Sequence, residues 1–454
     1  MSFLRLGLVL AASLLAACHG PVQEATLENG LKIVVREDHR APVVVSQIWY
    51  KVGPSDEPEG LTGISHVLEH MMFKGTAAHK NGEFSRIIAE NGGRENAFTG
   101  IDYTAYFQQL EKSRLAIAFE LEADRMRNLV LDEKEFAKEL RVVMEERRLR
   151  TDDQPEALAY ERFMSTAFTV HPYKNPIIGW MRDLEKLTVK DLHSWYQRWY
   201  APNNATLVVV GDVEASEVIA LARQHFGPIP ASTLQPASIP VEPAQTATRR
   251  SRLSAPAQVP SLLMGFHVPA LSLRADDWEP YALMVLNGVL DGGGSARFER
   301  ELVRKQQIAA SIGMGYSPTA RYPVLFLIQA TPSRGRTPAE LEAAIREQIR
   351  RVQEEPIAPE ELARVTAQVA AKDVFTRDSV FYQAMQMGML ETVGLDWRLL
   401  DRSVERVRAV TAAQVRTVAK KYLTESNLTV TVLDPQPGKA KPRAAAPLGG
   451  GHGH

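Results

Sequence analysis

Three residues that can bind or activate a metal ion lie within five consecutive positions, since the chain carries His66, Glu69 and His70 in the order His-x-x-Glu-His. On a helix, residues four apart lie on the same face, so the two imidazoles could bind one cation. Glu69 would stand beside them, where a carboxylate can take a proton from an attacking water. The order is the reverse of the His-Glu-x-x-His zinc-protease pattern. The alternative is a helix with two core histidines that bond to backbone carbonyls.

A catalytic zinc ion needs a third protein ligand, because it binds three protein groups and keeps one position for water. Glu139 and Glu146 are seven residues apart and share one helix face. At a rise of about 1.5 Å per residue they stand ~10 Å apart, so we do not expect both to bind the same ion. For either one, a solvated charged helix face is the alternative. The only cysteine, Cys18, excludes a cysteine-rich metal site.

The overall composition is that of an ordinary globular protein of two or three domains. Of the 454 residues, 45% are hydrophobic and 24% are charged. The 53 basic and 54 acidic residues leave a net charge of −1, which provides no electrostatic attraction to nucleic acid or to anionic lipid. We therefore expect no nucleic-acid partner.

The first 18 residues predict an export signal. Arg5 supplies a positive charge, residues 6–15 form an apolar run too short for a comfortable membrane-spanning helix, and small residues precede Cys18. The run Leu15-Ala16-Ala17-Cys18 resembles the lipobox of bacterial lipoproteins, in which the cysteine becomes a lipid anchor. Ordinary signal cleavage nearby is the alternative. Both predict a mature chain that begins near residue 19 and a protein exported to the periplasm or cell envelope of a bacterium.

The elements that must position the metal-binding candidates alternate between strand and helix patterns. Runs of β-branched and aromatic residues predict strands at 31–36, 43–52, 103–110 and 205–210. Apolar residues at helical spacing predict helices at 61–73, 83–90 and 113–130, followed by a charged helix from 132 through 150. The histidine pair therefore belongs to the first of these helices and the two glutamates to the last.

The second part of the chain repeats this order. Residues 227–260 are rich in proline and small residues and predict an interdomain linker. Beyond it, the patterns predict strands at 261–268, 324–330 and 428–433 and a helix at 278–290. We predict an α+β fold of two homologous domains, residues 19–226 and 261–434, with a disordered tail at 435–454. The helix predicted at 278–290, which corresponds to the helix of the histidine pair, contains Asn287 but no two histidines at metal-binding spacing. The sequence therefore predicts one metal ion per chain.

Further motifs accompany the His-x-x-Glu-His segment in a fixed order. They are Glu139-x6-Glu146, Glu95-Asn96-Ala97-Phe98-Thr99 leading to Asp102, His171-Pro172-Tyr173, Tyr200-Ala201-Pro202-Asn203-Asn204 before Gly211-Asp212, and Gly292 to Arg297. Together they resemble the pitrilysin/insulinase family of zinc peptidases, the inverzincins, over roughly residues 25–430. The length is similar to that of mitochondrial processing peptidase and its bacterial relatives, in which two two-domain chains form a chamber. The resemblance implies that each domain is a mostly antiparallel sheet covered by helices.

The resemblance also implies the metal and its ligands. One Zn²⁺ per chain would be bound by His66, His70 and Glu146, and Glu69 would be the general base that moves the proton of the attacking water to the leaving amine. Glu139 would hydrogen-bond a ligand histidine and orient it.

A second implied role concerns the substrate. The segment Asn96, Ala97 and Phe98 matches a family segment that contacts the substrate backbone, and an edge strand there could pair with an extended peptide. For Asn96, a turn residue after a glycine pair is the alternative. The activity predicted is that of a zinc-dependent endopeptidase acting on peptides or unfolded polypeptides. The alternatives are a non-catalytic structural subunit of the same fold and a peptide-binding chamber.

The last implied feature concerns a partner chain. Active members of the family carry an Arg-x6-Tyr pair in the second half that reaches across the chamber to hold substrate and stabilise the transition-state oxygen, so the resemblance implies that Arg304 binds substrate. In two-chain members this pair faces the zinc of the other chain. This chain has Arg304 but Ser311 at the tyrosine position, and Tyr316 is out of register. We therefore predict a heterodimer, in preference to a homodimer, in which a paralogous subunit supplies the Arg/Tyr pair. The only membrane contact predicted is a lipid anchor at Cys18, as the alternative to ordinary cleavage.

Overall fold

The computed structural model describes residues 22–437, apart from 236–237 and 275, residue 377 and the side chains of 373–376. The predicted export signal, including Cys18, and residues 438–454 of the predicted tail lie outside the described residues. In the described part of the chain, no helix is long and apolar enough to cross a membrane.

The first half is built on a six-stranded sheet whose strands follow the order β1-β2-β6-β3-β5-β4. All neighbouring pairs are antiparallel except β2 and β6, which are parallel. Strand β4 lies at one edge of the sheet. The strands are β1 Val22–Thr26, β2 Lys32–Glu37, β3 Val43–Tyr50, β4 Arg94–Gly100, β5 Tyr103–Glu111 and β6 Ala205–Gly211.

Helices cover one face of this sheet and enclose the first hydrophobic core. The helices of the first half are α1 Ile64–Met71, α2 Glu83–Glu90, α3 Leu115–Asn128, α4 Glu133–Arg147, α5 Pro155–Ala167, α6 Met181–Leu184, α7 Val189–Trp199 and α8 Ala215–Phe226. All but α5 contribute residues to this core. A π-helical turn, Arg148–Asp152, follows α4 where the sequence predicted that the same helix would continue.

The second half repeats the arrangement with a five-stranded sheet in the order β7-β11-β8-β10-β9. Its single parallel pair, β7 and β11, corresponds to β2 and β6 of the first sheet. The strands are β7 Arg249–Ala255, β8 Ser261–Val268, β9 Ala309–Gly315, β10 Val324–Pro332 and β11 Leu428–Pro435. The helices are α9 Glu279–Asp291, α10 Pro338–Glu354, α11 Pro359–Thr376, α12 Val380–Thr392, α13 Leu399–Arg408 and α14 Ala412–Tyr422. The predicted two-domain α+β fold is confirmed.

The segment predicted as a linker, 227–260, contains a strand of the second sheet. Strand β7 pairs in parallel with β11 over seven residues, so the second domain begins no later than residue 249 rather than at the predicted residue 261. Three of its seven residues are arginines, and alternate side chains are half-buried and exposed. An edge strand of this kind has little of the apolar alternation from which strands are predicted.

The two halves exchange helices. Helix α5 of the first half packs on the second sheet, where Phe163 lies against Gly265 so closely that a Cβ there would meet the ring. Helix α12 of the second half packs on β3 and β6 of the first sheet, and Gly388 makes room for the indole of Trp49. Both faces of the first sheet are therefore covered, which explains why β3 is almost entirely buried.

Replacing Phe163 with alanine should lower the free energy of unfolding by about 3–5 kcal/mol, because the fully buried ring fills the space over Gly265. The matched variant Tyr160→Ala removes a side chain of the same helix that is 44% exposed, so it should cost about 1 kcal/mol or less. Urea denaturation followed by circular dichroism measures both. Equal losses would contradict the packing of α5 between the halves.

Candidate metal centre

Helix α1 is short, and all eight of its residues are buried. Its first backbone N–H groups are bound by a carboxylate from the preceding loop. Glu57 accepts hydrogen bonds from the amides of Gly63 and Ser65 at 2.7 and 2.9 Å. A carboxyl group at a helix N-terminus satisfies these amides. Burial raises the pKa of Glu57 to about 7 despite the hydrogen bonds, and its ionised form interacts favourably with the helix dipole. The position of the helix is therefore fixed at the end where His66 lies.

The same end of α1 is held against a distant loop by two glycines. Gly63 has a φ of 87°, and a Cβ there would lie 2.6 Å from the carbonyl oxygen of Ile178. Gly179 has a φ of 84° and lies against Gly63. Only glycine combines this backbone conformation with so close an approach. Arg147, the residue after Glu146, donates a hydrogen bond to the carbonyl of Gly179 at 2.8 Å and so connects α4 to this contact.

The side chains of the three predicted metal ligands, two from α1 and one from α4, lie close together. The Nε2 atoms of His66 and His70 lie 3.8 and 3.5 Å from Oε2 of Glu146, and the ligand atoms of all three residues lie within 4.8 Å of one another. In a tetrahedral zinc site with bonds of 2.0–2.2 Å, ligand atoms stand roughly 3.3–3.6 Å apart. Two imidazoles and a carboxylate at this separation fit a zinc ion that keeps a fourth position open.

Glu139 lies behind His70 rather than in the ligand set. Its Oε2 is 3.4 Å from Nδ1 of His70, and its Oε1 accepts from Lys74 at 2.7 Å. Burial opposes ionisation, but the hydrogen bonds with His70 and Lys74 lower the pKa of Glu139 to about 2. Burial likewise lowers the pKa of His70, but the hydrogen bonds with Glu139 and Glu146 outweigh it and raise this pKa to about 9. An ionised Glu139 can fix the orientation of the His70 ring.

Glu69 is fully buried beside the two histidines. Its Oε2 accepts a hydrogen bond of 2.5 Å from the hydroxyl of Thr99, a residue of the edge strand β4. This contact joins α1 to β4 and leaves the carboxylate in the region of the ligand set. Because the carboxylate is held in one orientation, it can accept and return a proton without first losing conformational entropy.

Two family models match this chain, the insulinase (peptidase family M16) model over residues 32–180 and the peptidase M16 inactive-domain model over residues 186–369. The zinc protease PqqE of Helicobacter pylori is 37% identical over 308 residues, which are 66% of this chain and 68% of that protein. The chain belongs to the insulinase family. An uncharacterised zinc protease of Mycobacterium leprae is 32% identical over 307 residues, which are 65% of this chain and 66% of that protein.

Two solved protease structures have the same fold. A protease from Helicobacter pylori superposes with a TM-score of 0.86 at 30% identity, over 92% of this chain and all of that one. The first half of the periplasmic protease PqqL from Escherichia coli gives a TM-score of 0.77 at 17% identity over 91% of each chain. Membership of the family and the names of these relatives support a zinc-peptidase function and zinc as the metal.

The predicted substrate-binding segment of this insulinase-family chain lies on the edge strand β4, as expected. Ala97 is buried toward α1, and the amide of Ala97 bonds to the side-chain oxygen of Asn96. The ring of Phe98 packs against Trp49 and Tyr103, on the sheet face that α12 covers. The half-buried ring of Phe98 thus takes part in the packing of the sheet, while its backbone lies on the edge strand where a peptide could pair.

Arg304 lies in the π-helical segment Phe298–Lys305 of the second half and is not among the residues that could bind the metal. Its guanidinium is largely exposed and pairs with Glu299 at 3.0 Å. Ser311, at the tyrosine position of the family motif, is exposed on the edge strand β9. The hydroxyl of Tyr316 donates to the carbonyl of Pro269 at 2.6 Å and is occupied there.

A cavity of about 870 Å³ opens beside the ligand set. It lies between the halves, since α5 contributes one wall and β10 another. Most of its lining is apolar, and His66 and Glu146 lie at its side. The lining includes Tyr160, Met164, Phe168, Leu325 and Leu327.

Three contacts of the site were not foreseen from the sequence. Thr99 ends the motif Glu95-Asn96-Ala97-Phe98-Thr99, but the separation of 30 residues between Glu69 and Thr99 gives no sign of their hydrogen bond. Lys74 carries an ordinary surface residue type yet holds Glu139, and Arg150 pairs with Oε1 of Glu146 at 2.9 Å. The bonds of Thr99 and Lys74 join residues that are distant in the chain, so helical spacing does not indicate them. Arg150 stands four residues after Glu146, a spacing that does indicate such a pair on a continuous helix.

Zinc binding should weaken as the pH falls, because the metal needs a neutral His70 and must displace its proton below the pKa of about 9. The apparent dissociation constant should fall about tenfold per pH unit from pH 6 to 8.5 and level off above pH 9. Competition with a chelator of known protonation constants measures it. The variant Glu139→Gln should level off at a lower pH and bind zinc about 10–100-fold more weakly at high pH. A pH-independent affinity in the wild type would contradict the role of this pair.

Proposed function

We propose that this chain is a zinc-dependent endopeptidase that hydrolyses peptides or unfolded polypeptides. The observation that carries the proposal is the position of Glu69, buried beside two histidines and a carboxylate that fit one zinc ion. A scaffold protein has no use for such a set, because buried polar groups cost free energy unless they are paired. One zinc ion per chain would be held by His66, His70 and Glu146.

The zinc ion, when bound, would supply a Lewis acid at the open position of the ligand set. The chain itself supplies the proton transfer. Glu69 would accept a proton from the attacking water at its carboxylate and return it to the leaving amine, with Thr99 fixing one carboxylate oxygen. Glu139 would hold His70 in one orientation while the reaction proceeds.

An extended peptide would bind along the outer edge of β4. This edge strand ends at Thr99 and Gly100, next to Glu69, so a peptide paired to residues 96–98 would pass the base. The apolar cavity beside the ligand set would receive a large apolar side chain of the substrate. Backbone pairing accepts many sequences, which agrees with an enzyme that acts on unfolded chains.

The enzyme would work in the cell envelope of a bacterium. The export pattern of residues 1–18 supports this location, with lipidation of Cys18 as one of its two forms. The fold is shared with PqqL of Escherichia coli, which is a periplasmic protease.

A heterodimer would complete the active site. Arg304 and Ser311 stand where the family carries its Arg/Tyr pair, and the serine cannot replace a phenol. A paralogous partner would supply that pair to this chain's zinc and stabilise the oxyanion.

The variant Glu69→Gln should retain zinc and lose at least about 10³-fold in turnover, because an amide keeps the shape but cannot accept the proton. Metal analysis and cleavage of labelled unfolded casein, with and without chelator, measure the two effects. The control Glu133→Gln changes an exposed glutamate of α4 and should leave both unchanged. Near-normal turnover of Glu69→Gln would refute the mechanism. Bound casein without cleavage in the wild type would favour the peptide-binding alternative.

The isolated chain should cleave casein slowly, and addition of the paralogous subunit should raise turnover about 10²–10³-fold, the usual effect of one oxyanion contact. The variant Ser311→Tyr should leave that increase unchanged, because the proposed contact comes from the partner. Full activity of the isolated chain, unaffected by any partner, would refute the heterodimer.

A further inference from the structure

Two buried acidic loops of the first half meet beside the metal centre. One contains Ser55 and Asp56, and the other is the turn between β4 and β5 that contains Asp102. The amide of Ser55 donates to the carbonyl of Ile101 at 2.9 Å, and the hydroxyl of Ser55 donates to Asp102 at 2.8 Å. A Cβ at Gly53 would lie 2.7 Å from the carbonyl oxygen of residue 100, so the loops are in direct backbone contact.

An arginine from the second half enters between these loops. Arg321 precedes β10, and its guanidinium bonds both oxygens of Asp56 at 3.0 and 2.5 Å. It also donates to the hydroxyl of Ser55 at 2.5 Å and to Asp102 at 3.2 Å, and its backbone amide donates to Asp102 at 3.0 Å. Only a planar guanidinium reaches three acceptors in this way. Tyr173 adds a further hydrogen bond to Asp102 at 2.6 Å.

Each loop leads within a few residues to a group of the metal centre. Asp56 is followed by Glu57, which binds the first amides of α1, the helix of His66. Asp102 lies three residues after Thr99, which donates to Glu69. Arg321 is thus linked to the ligand helix through one loop and to the general base through the other.

We propose that Arg321, from the half without metal ligands, is a positioning residue for peptide hydrolysis, which holds Glu69 and α1 in register by neutralising and clamping Asp56 and Asp102. The proposal rests on the peptidase function proposed above. Without the guanidinium, two nearly buried carboxylates would stand side by side, and their repulsion and hydration would separate the loops. The carboxylate of Glu69 would then lose its fixed place relative to the ligands.

Other contacts also hold the halves together. The faces of both sheets are joined by exchanged helices, through Phe163 on one side and Trp49 on the other. The bonds of Arg321 to Asp56 and Asp102 also join the halves. Because the apolar contacts of the exchanged helices join them independently, loss of Arg321 should change local placement more than association of the halves.

The variants Arg321→Gln and Arg321→Lys test the proposal in the full chain, with its partner subunit added where activity requires it. Turnover of labelled casein by Arg321→Gln should fall about 10–100-fold, because a displacement of about 1 Å has effects of this size. KM should change less than about threefold, and zinc content should not change. Arg321→Lys keeps the positive charge but not the planar guanidinium that bonds several acceptors at once, so its turnover should fall less than that of Arg321→Gln.

The matched control is Arg250→Gln, which breaks a two-pronged pair with Glu342 inside the second half. It should leave turnover unchanged at a temperature where all variants are folded. Equal losses in Arg250→Gln and Arg321→Gln, or an effect on KM alone, would overturn the proposal. If Arg321→Gln does not fold, full turnover of Arg321→Lys would overturn it.

Hydrogen exchange separates this proposal from the peptidase function itself. The amides of residues 99–102 should exchange faster in Arg321→Gln than in the wild type and Arg250→Gln, whether or not any casein is cleaved. Unchanged exchange overturns the positioning role. If exchange is faster in Arg321→Gln but the wild type shows no chelator-sensitive cleavage of casein, the positioning role stands and the proposed peptidase function is refuted instead.

Discussion

The burial of α1 is the constraint on which the rest of the site depends. This helix carries two imidazoles and a carboxylate into the core, where ionisable groups are costly unless each has a partner. The surrounding elements meet this demand from different directions: α4 brings Glu146 and Glu139, and β4 brings Thr99. The metal centre is therefore continuous with the hydrophobic core, and the same packing that stabilises the first half sets the separation of the ligand atoms.

Local patterns predicted the elements well where periodicity was strong. The helix predicted at 83–90 and the strand at 261–268 have the same bounds in the structure, and the ligand set follows from the spacing of His66, His70 and Glu146 together with the family resemblance. Strand β7 was missed because its arginines conceal the apolar period. Arg321 could not be assigned to the site at all, since its acceptors are more than 200 residues away and no local pattern links them.

The second half repeats the architecture of the first without the His-x-x-Glu-His segment. Its helix α9 follows the second strand of its sheet as α1 follows β3, and it carries Asn287 where the first half carries its histidine pair. The half nevertheless lines the cavity beside the ligands and covers the outer face of the first sheet. A half without the histidine pair thus still supplies surfaces that the half with the pair needs.

The exchange of helices α5 and α12 also bears on how such a chain could have arisen. Each half covers an apolar sheet face of the other, so a single copy would leave such a face open to water. Two copies of an ancestral half-length chain would have hidden these faces by trading helices, as domain-swapped dimers do. If the chain arose in this way, the proline-rich segment after residue 227 would mark the join, and the association of the halves would be older than the covalent bond between them.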